Sequence, residues 1–207
     1  IKPPTSDTMT IPVFFIVIGV YLIQPFELQS PRQIVTFGNM IPDPCTTVAF
    51  TGHRTYCGEA SAALAAAIRG LHAHGFRTFL CGMAVGFDLA AAEAVLELRD
   101  SLPGLRLVAV VPFGGQEARF SNADRVRYRA AMASADDAVV LSPVYHAGCY
   151  AVRNNYLVDH ASLLVAWYDG SPGGTRHTVF RALRRGLEFV NLHPQRAGVA
   201  LTEPTLF

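Results

Sequence analysis

Three glycine-bearing loops stand out for the chemistry they could host: "TGHR" (51–54), "GMAVGFD" (82–88) and "SPGGT" (171–175). Each follows an apolar run, and the second and third open a helical pattern. Free N–H groups at a helix N-terminus, together with the helix dipole, favour an anion, and glycine lets a phosphate approach the backbone. Thr51, Gly52, His53 and Arg54, then Gly82, Gly86 and Asp88, and finally Asp169, Gly173, Gly174 and Thr175 are therefore candidate phosphate- or ligand-binding residues. Arg153 and Asn154 join them, because an arginine near the start of a helix can hold a phosphate with two parallel hydrogen bonds. Arg153 could equally cap its own loop. Neither GxxxxGK[ST] nor GxGxxG is present, so no standard nucleotide fingerprint applies.

Asp88 and His53 are the candidate catalytic groups. Asp88 could receive a ribose hydroxyl or exchange a proton, or it could only offset the dipole of the helix it opens. His53 could exchange a proton or could only order its loop by hydrogen bonding. Glu93, five residues on from Asp88, is expected to face away. Tyr168, Phe113 and Tyr145 are stacking candidates for a base, and Trp167 reads as core. The pairs Asp136–Asp137 and Arg184–Arg185 read as surface charge.

The elements that must position these loops alternate regularly from Thr47 on. Strands are expected over 47–50, 76–82, 105–111, 137–142 and 162–168, with a sixth near 188–192. Helices are expected over 59–75, 87–101, 122–135, 150–161 and 175–186. Leu64, Ile68 and Leu71 form the stripe of the first helix, which Gly75 ends. Asn122 is the expected N-cap of the third. Val152, Tyr156 and Leu157 share one side of the fourth, and Val179, Ala182 and Leu183 form the stripe of the fifth. Continuous apolar strands alternating with helices predict a doubly wound α/β fold with a mainly parallel sheet flanked by helices. In such a sheet ligands bind beyond the carboxyl ends of the strands, where these loops fall.

Residues 47–207 form the expected domain, and 1–46 an N-terminal appendage and linker. The apolar run Ile11–Ile23 is short for a membrane span and contains Pro12 and Gly19, so it is expected to pack as an appendage, with no membrane role. The 207 residues carry 17 Lys and Arg against 16 Asp and Glu, a formal charge of +1, which gives no electrostatic footprint for nucleic acid. The basic cluster Arg176, Arg181, Arg184 and Arg185 reads as a solvated helix face. Cys45, Cys57, Cys81 and Cys149 match no zinc spacing and read as reduced thiols in a cytoplasmic protein; no metal site is expected.

The succession "TGHR", "GMAVGFDLAAAE", "VPF…Q", "LS…Y", "Y…RNNYLVD" and "WYDGSPGGTRHTV", in order from about Thr47 to Asn191, resembles the YpsA-like family of the SLOG superfamily. That superfamily also holds the LOG phosphoribohydrolases and the DprA DNA-processing proteins. The resemblance implies a Rossmann-like fold that binds a nucleotide or nucleotide-derived ligand, ADP-ribose or NAD-like; several phosphate-suited loops without an evident catalytic constellation add the expectation of a sensing role. It sets the glycines of the second and third loops on phosphate and Arg153 near the arginine of LOG enzymes. It leaves open a LOG-type hydrolase, a DprA-like binder of single-stranded DNA and a homo-oligomer. LOG enzymes carry PGGxGTxxE; here Thr178 stands about where that glutamate would be, and a hydroxyl cannot replace a carboxylate that activates water.

Overall fold

The computed structural model of the protein describes residues 35–37 and 42–194. The apolar run 11–23 lies outside the described residues.

The strands are β1 (Val35–Phe37), β2 (Thr47–Gly52), β3 (Thr78–Cys81), β4 (Arg106–Val111), β5 (Asp137–Val140), β6 (Leu163–Trp167) and β7 (Glu188–Asn191). The helices are α1 (Ser61–Ala73), α2 (Phe87–Leu98), α3 (Asn122–Ser134), α4 (Cys149–Asp159) and α5 (Gly174–Arg184). The sheet order is β1-β5-β4-β3-β2-β6-β7. Strands β2 to β7 are parallel, and β1 runs antiparallel along β5, with Val35 opposite Val140. The stretch read as linker thus contributes an edge strand; three residues are too few for a period-2 pattern to be visible.

Strands β2, β3, β4 and β6 are buried on both faces, which explains their largely apolar runs. Alternate residues serve opposite cores. Val48 and Phe50 of β2, with Phe79 of β3, pack beneath α1, α2 and α3. Ala49 and Leu80, from the same two strands, pack beneath α4 and α5. Leu64 and Ile68 are buried with Leu71 beside them, and Val179 and Ala182 are buried with Leu183 beside them. Gly75 follows the α1 C-cap with φ +96°, a left-handed position suited to glycine.

Three local expectations are corrected. Ser121, not Asn122, caps α3: its hydroxyl accepts the Asp124 N–H at 3.1 Å, while Asn122 is the first helical residue. Val152 is exposed on the outer face of α4, because Leu157 and Val158 supply that helix's inward side. Asp137 is buried at the start of β5, and the Asp136 carboxylate accepts the Leu107 N–H at 2.8 Å, so this pair ties β4 to β5 rather than sitting free on the surface. Arg185 and Arg181 both ion-pair with Asp159, and Arg176 lies over Phe180. The basic helix face is therefore largely paired within the chain.

From β2 the chain builds outward through β3, β4 and β5, then returns to the other side of β2 for β6 and β7. The order reverses between β2 and β6. A crevice outside the carboxyl ends of these two strands follows from the connectivity, since the loops leave in opposite directions.

Candidate functional site

At that reversal point lies a cleft of about 420 Å³. Thr51, Gly52, His53 and Arg54 reach it from the end of β2, Ala84 and Asp88 from the start of α2, Tyr150, Arg153 and Asn154 from α4, and Gly174 and Thr175 from the start of α5. Nine of the sequence candidates thus converge. Gly82, Gly86, Asp169 and Gly173 do not line it.

The floor is an ion pair between residues 65 positions apart. Arg153 Nη1 lies 3.3 Å from Asp88 Oδ2 and also donates to the Gly82 carbonyl. Both side chains are more than nine-tenths buried. Arg153 Nε is buried with no hydrogen-bond partner among the described residues. Asp88 Oδ2 also accepts the Ala84 N–H at 3.4 Å. Burial raises the Asp88 carboxyl above its ordinary range, against the pull of the Arg153 guanidinium. Arg153 sits in the second turn of α4, because the helix begins at Cys149.

The loop from Gly82 to Gly86 is shaped to serve this pair. A Cβ on Gly82 would lie 1.9 Å from Arg153 Nη1, so glycine is needed there to admit the guanidinium, and the phosphate role expected of it is not what the geometry uses. Met83 follows in a left-handed conformation, φ +56°, rare for a side chain of this size. Its side chain is fully buried, and its carbonyl accepts the Gln116 Nε2–H at 2.9 Å. Gly86, φ +82°, lies against the His53 and Arg54 carbonyls, and the Phe87 N–H donates to His53 O at 3.2 Å. A Cβ on Gly52 would fall 2.4 Å from Phe87 Cβ. These three glycines therefore weld the β2 and β3 loops together. Met83 and Gln116 carry no local signal for their roles; the only trace is the glutamine in the "VPF…Q" motif.

The third loop behaves differently. Gly173, φ +142°, is the N-cap of α5 and brings no side chain to its free N–H groups; a Cβ there would meet open space. Gly174 and Thr175 follow on the cleft wall. Thr178 is fully buried, and its hydroxyl donates back to Gly174 O at 3.0 Å, so it offers the cleft no reactive group. The N-caps of α2 and α4 are also glycines without side-chain caps, Gly86 and Gly148.

His53 lies between Asp169 and the core. Its Nε2 is 2.8 Å from Asp169 Oδ1, and its ring packs against Trp167 and Tyr168. Asp169 is thus engaged with His53 and with the Ser171 N–H at 2.8 Å, outside the cleft. Hydrogen bonds from Ser171 hold its carboxyl down at about 2, with His53 adding a smaller pull. The sign follows: this depressed group stabilises the fold above the unfolded value of about 3.9, and that contribution is lost as pH falls toward 2. An NMR titration of the Asp169 carboxyl is expected to show its midpoint near 2, and a midpoint close to 4 would remove Ser171 as its anchor.

Tyr168 is 1% exposed, so it belongs to the core and cannot stack on a base as expected of it. Phe113 and Tyr145 lie in an aromatic cluster with Tyr150, which the sequence did not single out. Glu93 faces away as expected, with both oxygens on Arg127 at 2.6 and 2.7 Å. Cys45, Cys57, Cys81 and Cys149 are all free thiols. Among the described residues no group of three or more His, Cys, Asp or Glu side chains could hold a metal, and no helix is long and apolar enough to cross a membrane.

A parallel sheet with its crevice at the order reversal, flanked by five helices, is a Rossmann-like fold of the kind found in DNA processing protein A. The Streptococcus pneumoniae protein superposes with a TM-score of 0.56 at 19% identity, covering 71% of this chain and 50% of that one. The Helicobacter pylori protein, whose structure concerns its single-stranded DNA binding mode, gives 0.54 at 15% identity, covering 77% and 80%. The family model described as "YspA SLOG family" matches residues 49–188, and the chain belongs to this YpsA family of the SLOG superfamily. An uncharacterised SPbeta prophage-derived protein, YoqJ of Bacillus subtilis, is 28% identical over 130 residues, 56% of this chain and 76% of that one. A UPF0398 protein of Halalkalibacterium halodurans is 30% identical over 103 residues, covering 49% and 54%; the match spans about half the length of such relatives.

Proposed function

We propose that this domain binds the phosphate of a nucleotide-derived ligand, of the ADP-ribose or NAD type, in the cleft between β2 and β6, and holds it without cleaving it. The observation that carries the reading is Arg153. It is a buried guanidinium on the floor of the cleft that the uncapped start of α5 also lines, and its Nε has no hydrogen-bond partner among the described residues. A guanidinium lining a cleft can give a phosphate oxygen a charge-assisted hydrogen bond, about twice as strong as a neutral one. The α5 N–H groups and dipole add to the attraction. Thr178 supports holding over cutting, because its hydroxyl is consumed inside the helix.

Titration calorimetry with AMP, ADP-ribose and NAD tests this, with chromatography of each mixture for released base. Binding of at least one ligand without base release is expected. Arg153→Lys keeps the charge but loses the planar fork, and is expected to weaken binding by about tenfold, equivalent to about 1.4 kcal/mol. If none of the three ligands binds, the reading fails; if base is released, the holding role fails.

Gly174→Ala gives a second check. Its Cβ would lie 3.7 Å from Asn154 Nδ2, an ordinary contact, so the fold accepts it. The methyl group nevertheless narrows the approach to the α5 N–H groups. Unchanged thermal stability with weakened ligand binding is expected. Equal affinity in wild type and variant would move the phosphate away from α5.

A further inference from the structure

We propose that Tyr150, Tyr145 and Phe113 form a stacking platform for the base of a free nucleotide at the mouth of the phosphate cleft; the proposal rests on the phosphate reading above. Among the described residues, five large hydrophobics are notably exposed, and four of them, Val144, Tyr145, Tyr150 and Val152, fall within nine residues of chain. Isolated exposed apolar side chains need no explanation, but a local cluster of them does.

The three rings form one surface. Phe113 meets Tyr145 edge-on at 5.3 Å and Tyr150 edge-on at 5.8 Å between centroids, and the two tyrosines are 6.4 Å apart. Tyr145 is 60% exposed and Tyr150 37%, so both present ring surface to solvent. Phe113 comes from the loop after β4 and Tyr145 from the loop after β5, two strands that pair side by side, while Tyr150 stands in the first turn of α4.

The platform's position sets what it can take. Tyr150 itself lines the cleft, and Arg153 lies three residues further along α4, about 4.5 Å of helical rise. Residues three apart on a helix lie on the same face, so Tyr150 and Arg153 reach the one cleft from successive turns of α4. The Arg54 guanidinium lies over the Tyr150 ring at 5.8 Å, which marks that face as one accepting a planar partner. Arg54 also belongs to the cleft wall, where a phosphate would attract it. Stacking reads ring area rather than base edges, so purines should bind better than pyrimidines, with little distinction between adenine and guanine.

Calorimetry on the full chain with AMP, GMP, CMP and ribose 5-phosphate tests the platform. AMP and GMP are expected to bind roughly tenfold more tightly than ribose 5-phosphate, the scale of one base–aromatic stack, with CMP between. Tyr150→Leu is expected to weaken AMP about tenfold more than it weakens ribose 5-phosphate; Tyr145→Leu gives a smaller differential loss. Both sites are exposed, and unchanged melting temperatures verify folding. If ribose 5-phosphate binds and AMP gains nothing over it, or if Tyr150→Leu weakens both equally, the platform is overturned and the phosphate site stands. If neither binds, both fall. A single-stranded oligodeoxyadenylate that binds where AMP does not would overturn the free nucleotide. A dimer seen by sedimentation, dissolved by Tyr145→Glu with AMP affinity intact, would assign the surface to a second copy and overturn the stacking role.

Discussion

Arg153→Met is expected to destabilise the protein by about 3–4 kcal/mol near neutral pH, and to do so much less in acid. The physical reason is the carboxylate left behind. Asp88 is more than nine-tenths buried, and Arg153 is the cation beside it on the floor of the cleft. Removing one partner of a buried ion pair strands the other, which typically costs about 3–5 kcal/mol. The native state can limit that cost by protonating Asp88. From an unfolded value of about 3.9, taking up a proton at pH 7 costs about 4 kcal/mol, which sets the ceiling. Burial already raises the Asp88 carboxyl, and loss of the guanidinium raises it further.

The sign of the pH effect follows. Between about pH 3.9 and the raised native value, the folded variant binds a proton that the unfolded chain does not. Its stability therefore falls as pH rises through that window, by up to about 1.4 kcal/mol per pH unit. Urea unfolding of wild type and variant at pH 5 and pH 7.5 measures this directly. Adding Asp88→Asn to the variant is expected to abolish the extra pH slope. An equal loss at both pH values would show that Asp88 is not the group Arg153 neutralises.

Gly86→Ala carries the other large effect, a loss of about 2–6 kcal/mol. Two costs combine. At φ +82° and ψ −124° a side chain is strained by about 1–3 kcal/mol. The added Cβ would also lie 2.6 Å from the carbonyl oxygens of both His53 and Arg54, and backbone cannot rotate away as a side-chain tip can. Overpacking of this kind costs about 1–3 kcal/mol. Relief requires moving the start of α2, which breaks the Phe87 N–H bond to His53 O and carries Asp88 off its partner. Gly115→Ala is the internal control. Its φ is +81°, but a Cβ there meets nothing within 4 Å, so only strain of about 1–2 kcal/mol applies. Denaturant midpoints that place the two variants together would remove the β2–α2 contact from the account.

The core fold was legible because its signals are local. Unbroken apolar strands, helical stripes such as Leu64 and Ile68, and polar glycine loops after β2, β3 and β6 are written in short stretches of chain. They were enough to predict a doubly wound parallel sheet and the edge on which nine candidate residues meet. The β1 strand escaped because three residues pairing with distant β5 leave no periodic trace.

The sequence by itself determined the elements, their order and the loops that share an edge. Only the tertiary structure decided what each loop residue does there. Four prominent loop glycines look alike in the chain, yet Gly52, Gly82 and Gly86 are occupied by Phe87, Arg153 and the His53–Arg54 backbone, while Gly173 faces open space at the head of α5. Asp88 and Arg153 are separate candidates in the chain; brought together from 65 residues away, they become a buried pair with one donor unpartnered among the described residues. Tyr168 and Tyr150 are equally aromatic in the sequence, and the fold buries the first and leaves the second open at the cleft mouth. Local pattern records backbone preference and polarity, whereas burial, partnership and open space are properties of neighbours distant along the chain.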